Sequence, residues 1–185
     1  FEDITTDTTE DGKNQSVTAV DNSINYQIAK VDDNGDYVQG VTLKLTDITD
    51  AENPIEVELP NNGITTNEPF KLDKKLIAEH TYELVESEYV AGVYKATNIT
   101  FTVPKYGTGE VTTITMMDET TNITVKKVDN YGKPVAGALM QILVPETEEV
   151  VYEFTSTDDE HGSDISKYVK GGERYILRES EAPFG

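Results

Sequence analysis

The chain has 185 residues, with 35 aspartates and glutamates against 15 lysines and arginines and a formal net charge of −20. No basic patch offsets that charge, which argues against nucleic-acid binding and favours solubility and mutual repulsion. Cysteine is absent, removing disulfides, thiol catalysis and thiolate metal sites, and no apolar run approaches the roughly 20 residues of a membrane span.

Residues 1–21 hold six acidic residues against Lys13. They read either as an acidic leader or as the final hairpin and strand of a preceding repeat, since SVTAVD, ending at Asp21, matches TITMMD, ending at Asp118. Short stretches rich in Val, Ile, Thr and Tyr come next, separated by Asp, Asn and Gly turns, and predict strands near 24–31, 40–47, 54–59, 80–88, 94–103 and 110–118. Short helical turns are expected around Lys71 to Ala78. A second set of strands is predicted near 122–128, 137–144, 149–155 and 173–180. Strands at this spacing imply an all-β chain of two-sheet sandwiches with Greek-key connections.

The second set repeats the first. KVDDNGDYVQGVTLKL from Lys30 matches KVDNYGKPVAGALMQI from Lys127, 97 positions on, and YELVESEYVAG from Tyr82 matches YILRESEAPFG from Tyr175. A period near 100 residues is long enough for one independent core per unit, so the repeat reads as beads on a string. The expected organisation is residues 1–21 as above, a complete domain over 22–120, and a second domain over 121–185 lacking its last strands.

Within this pattern charged residues occupy apolar parity. Lys30 follows Ile24, Tyr26 and Ile28 at spacing two; Glu86 follows Tyr82 and Leu84; Asp118 follows Ile114 and Met116. Lys127, Glu179 and Asp21 stand in corresponding places. A charge on a core face needs a partner or a reaction, because burying it alone is prohibitive. For an arbitrary β protein a buried ion pair is the ordinary explanation.

These residues resemble the B-type (Cna B-type) repeats of Gram-positive collagen-binding adhesins and the related SpaA-type shaft domains of sortase-assembled pilins. The marks are the lysine of the KVD strand with its following G-x-x-x-x-G, the E-box segments YELVE and YILRESEAPFG, and the closing strand TITMMD. The resemblance implies tandem immunoglobulin-like β-sandwich domains, each carrying a spontaneous isopeptide bond between a lysine amine and an aspartate or asparagine side chain, with an E-box glutamate as proton shuttle. On this sequence the bond is Lys30 to Asp118 with Glu86 assisting. In an apolar pocket desolvation disfavours both charged forms, leaving a neutral amine as nucleophile and carboxyls that share protons. By analogy with disulfide loop closure, such a crosslink is worth about 4 to 5 kcal/mol.

In the second unit Lys127 and Glu179 are the corresponding lysine and shuttle, while the segment equivalent to Val93 to Asp118 is missing from the sequence. Asp21 of another chain, on a strand spanning 15–21, is one candidate acceptor by head-to-tail strand complementation; an acceptor beyond the sequence is the other. His80 and His161 have no repeated partner and read as surface or loop residues. The acidic turn DDNGD at 32–36 lacks the downstream glutamate of a calcium loop and reads as a hairpin turn.

The expected function is therefore structural: a stalk or shaft segment of a Gram-positive surface adhesin or pilin, extracellular and anchored to the cell wall, with single-turnover bond formation and no cofactor or metal. Expected partners are neighbouring repeats of the same surface protein and a host ligand borne by another domain, with neither nucleic acid nor membrane insertion. The alternative is a ligand-binding adhesin module that itself contacts a host protein.

Overall fold

Alternating apolar residues set the architecture of the computed structural model, which describes residues 22–183. The first unit contains β1 (Asn25–Asp32), β2 (Thr42–Asp47), β3 (Ile55–Val57), β4 (Phe70–Lys71), β5 (Thr81–Glu88), β6 (Ile99–Thr102) and β7 (Val111–Asp118). One sheet has the order β4-β1-β7 and the other β3-β2-β5-β6. Their inward side chains, including Tyr26 and Ile28 from β1, Leu43 and Leu45 from β2, Tyr82 and Leu84 from β5, and Met116 from β7, form one buried cluster. Phe101 stacks on both Tyr26 and Tyr82, with ring centroids 5.8 and 5.7 Å apart.

The first and last strands are neighbours. β1 and β7 run parallel over their full length, from Asn25 opposite Val111 to Asp32 opposite Asp118. A parallel pair cannot be closed by a hairpin and needs a crossover, which here is the whole intervening sandwich.

The second unit repeats part of this plan. β9 (Leu139–Leu143) lies between β10 (Val150–Thr155) and β12 (Ile176–Glu181), and β8 (Thr124–Val125) pairs with β11 (Ser163–Asp164). Tyr82 and Tyr175 make equivalent bonds, their hydroxyls accepting the N–H of Ile77 and Lys170. Asp32 and Asp129 each accept two backbone N–H groups across their turns. DDNGD is thus the hairpin turn expected, and among the described residues no group of three or more acidic, histidine or cysteine side chains is placed to hold a metal.

Several expectations are corrected. The strand expected over 94–103 is confined to Ile99–Thr102, because residues 92–96 bond elsewhere. That expected over 122–128 shrinks to Thr124–Val125. No helical turn forms around Lys71 to Ala78: Leu72 N–H donates to the Tyr26 carbonyl and Val103 bonds with Glu79 and His80, so the segment is held as turns against β1 and the end of β6. Residues 1–21, including Asp21 and the expected 15–21 strand, lie outside the described residues.

Candidate functional site

β1, β5 and β7 converge on one buried cluster. Lys30 sits opposite Met116 in the parallel ladder, so its same-face neighbour two positions further along β7 is Asp118. Glu86 projects from β5 in the other sheet, following Tyr82 and Leu84 into the core. The side chains of Lys30, Glu86 and Asp118 are 1%, 0% and 0% exposed, which closes the site to bulk water. The parity assigned from sequence holds at all three positions.

Lys30 Nζ is in contact with Asp118 Oδ1 and lies 3.7 Å from Glu86 Oε1. Lys30 Nζ, Glu86 Oε1 and both Asp118 oxygens form no hydrogen bond among the described residues. Glu86 is oriented through its other oxygen, Oε2, which accepts the Ala96 N–H at 2.6 Å. Burial pushes the Glu86 carboxyl above its ordinary range, against the opposing pull of the Ala96 N–H and Lys30, and Asp118 adds a further upward push. Burial likewise raises Asp118, with Lys30 opposing. In this dry pocket the two carboxyls retain protons that water would remove, the condition for a carboxylic acid rather than a carboxylate to meet the amine.

Lys127 and Glu179 are also brought together, Nζ donating to Oε2 at 2.9 Å, but their side chains are 29% and 33% exposed. The expected core placement fails here for a local reason. β12 is paired only through β9, every residue in it is exposed, and Leu177, the counterpart of fully buried Leu84, is 49% exposed. Among the described residues nothing occupies the position that β6 and β7 occupy in the first unit. His80 Nδ1 pairs with Asp47 Oδ2 at 2.6 Å beside Thr49, and His161 pairs with Asp159 on an exposed turn. Neither histidine approaches the buried cluster.

Sequence reasoning missed the residues that fix the site's frame. Thr65 Oγ1 accepts the Val41 N–H and donates to the Val38 carbonyl; Ser156 does the same for Ala138 and Val135 in the second unit. Val38 and Val135 in turn donate N–H to the carbonyls of Lys30 and Lys127. No fixed spacing marks them in the sequence, Thr65 lying 25 positions after Gly40 and Ser156 lying 19 after Gly137. Tyr89 was also missed: its hydroxyl bonds the Gly171 carbonyl and Glu173 Oε1 in the second unit.

In the first unit the first and last strands of a β-sandwich meet at a buried lysine and aspartate, with a glutamate of the facing sheet beside them. The chain belongs to the SpaA prealbumin-like fold domain family, whose model matches residues 24–120 and again 121–185. Among solved structures it is similar to a streptococcal ancillary pilin, at 19% identity over 87% of this chain and 54% of that one, with a TM-score of 0.39. It is similar to a C-terminal fragment of the pilus adhesin SpaC from Lactobacillus rhamnosus GG, at 17% identity over 87% and 76% of the two chains, TM-score 0.40. The shaft pilin SpaA of the same organism gives 11% identity over 86% and 88%, TM-score 0.44. The chain thus spans about half the length of the ancillary pilin. Comparison with curated protein sequences gives no match.

Proposed function

We propose that the chain is a covalently stiffened stalk or shaft segment of a Gram-positive cell-surface adhesin or pilin, closed in its first unit by an isopeptide bond from Lys30 to Asp118. The observation that carries this reading is the contact of Lys30 Nζ with Asp118 Oδ1 in a site where neither has another hydrogen-bond partner. Lys30 as a neutral amine attacks Asp118 Cγ. The Nζ–Cγ bond forms, the Cγ–Oδ bond breaks, and the oxygen leaves as water with one proton from the amine and one from the carboxylic acid. Glu86, within 3.7 Å of the amine, relays the proton from nitrogen to the departing oxygen. Fixed adjacency on two hydrogen-bonded strands supplies the effective concentration that free groups lack. The product is a neutral amide, so the reaction also removes the buried charges.

The intact mass of the denatured chain tests this. Loss of one water, with a Lys30–Asp118 crosslinked peptide after digestion, is the expected result; Lys30→Ala and Asp118→Ala should each keep that water, and Glu86→Ala should keep it or lose it far more slowly. An unshifted mass for the unaltered chain refutes the bond. For the second unit, we propose Lys127 as donor and Glu179 as shuttle toward an acceptor strand laid along the edges of β8 and β12 that have no partner among the described residues, either a strand outside the given sequence or residues 15–21 of another copy bearing Asp21. A denaturing gel with only monomer and an unmodified Asp21 excludes the second source.

A further inference from the structure

Between Glu86 and its anchoring N–H at Ala96 the chain makes a detour. Residues 89–96 leave the end of β5, cross to the second unit, and return to donate the Ala96 N–H to Glu86 Oε2. In the middle of this strap Gly92 N–H donates to the Val169 carbonyl and Gly171 N–H to the Val93 carbonyl, both at 2.8 Å, a two-bond ladder between the units. On its other side Val93 bridges Thr120, Tyr94 N–H donates to the Glu119 carbonyl, and Thr121 N–H to the Gly92 carbonyl. Glu119 follows Asp118 directly, so the strap touches the frame of both carboxyls.

The contact is built rather than incidental. Val93, Thr121, Val169 and Gly171 are buried in it. Tyr89 reaches across to the Gly171 carbonyl at 3.0 Å and Glu173 Oε1 at 2.8 Å, and the Lys170 amine lies 5.1 Å from the Tyr89 ring centroid. Gly171 packs so closely on Tyr94 that a Cβ there would overlap the Tyr94 ring, its nearest neighbours being ring atoms alone.

We infer that the segment 169–171 of the second unit positions the crosslinking site of the first: by clamping the strap it sets the Ala96 N–H that orients Glu86 and the chain leaving Asp118. Tyr89 and Gly171 are positioning residues, touching none of the reacting atoms. The inference rests on the isopeptide reading. Bond formation demands reacting groups held to a fraction of an ångström, where a 1 Å displacement costs on the order of a hundredfold in rate. A strap released from the second unit would leave Lys30 and Asp118 on their ladder but loosen the glutamate that moves the proton.

The test is a kinetic double-mutant cycle on the whole chain, made by pulsed cell-free synthesis, quenched in denaturant at intervals and followed by intact mass. Gly171→Ala should slow the loss of water by about tenfold or more. Removing the obstructing ring in Gly171→Ala/Tyr94→Ala should restore most of the rate, because the ring atoms that the added methyl would overlap are then gone. If the unaltered chain loses water and Gly171→Ala keeps pace with it, the positioning role is overturned while the bond stands. A slowing that Tyr94→Ala does not relieve overturns it as well. If the unaltered chain never loses water, both the bond and its positioning are wrong.

Discussion

Glu86 and Asp118 are carboxyls that folding drives toward the protonated state, and Lys30→Ala isolates what that costs. Without the amine no amide can form, and both acids stay buried with raised pKa values. A folded acid that holds its proton above the unfolded value of 4.5 or 3.8 stabilises fully below that value and loses the contribution as pH rises through the folded one. Asp47 works in the opposite direction. Burial pushes it up, but the Thr49 hydroxyl and N–H and the contact with His80 overcome that and hold it at about 2. Its contribution is present above 3.8 and disappears as pH falls toward 2. Thermal unfolding of Lys30→Ala should therefore show a midpoint that falls as pH rises above 4.5, a window lying above that of Asp47. The bonded chain, in which Asp118 no longer titrates, should fall less over the same interval. Equal slopes would mean that the buried acids are not protonated in the folded Lys30→Ala chain.

At the level of elements, each unit fastens the start of its second long strand through one hydroxyl. Thr65 satisfies the Val41 N–H at 3.0 Å and the Val38 carbonyl at 2.7 Å while itself 5% exposed. Thr65→Val keeps the volume and orphans both backbone groups, so urea denaturation should show a loss of about 1–3 kcal/mol for each. A change within the range of ordinary surface substitutions, about 0.5 kcal/mol, would show that other groups or water take over. Such hydroxyls were not legible in the sequence, because a Thr or Ser in an irregular segment has no periodicity to mark it. Neither were β4 and β11, each two residues long, since alternation needs more residues than that to register. The long strands and the Lys30, Glu86 and Asp118 parity were legible for the converse reason: β1, β5 and β7 each run eight residues with a core on one face. The same rule misplaced Lys127 and Glu179. Parity states which way a side chain points, whereas burial also requires something facing it.

For the molecule as a whole, parallel neighbours at the first and last strands of the first unit set the route of mechanical load. Tension entering at Asn25 and leaving past Asp118 pulls β1 and β7 in opposite directions along their shared ladder, and the proposed amide between Lys30 and Asp118 would carry it before the remaining strands are loaded. In single-molecule pulling, the unaltered chain should give no unfolding step from the first unit beyond the few residues of β1 before Lys30. Lys30→Ala should release the segment from 30 to 118, on the order of 300 Å of extended chain. A step of that length from the bonded chain would refute the load path. The same adjacency changes what a protease can accomplish. With Lys30 and Asp118 joined, the backbone from 31 to 117 is a closed ring hung on the main line of the chain. A single cut in any of its loops opens the ring, yet the residues on the amino side of β1 stay covalently attached to the second unit.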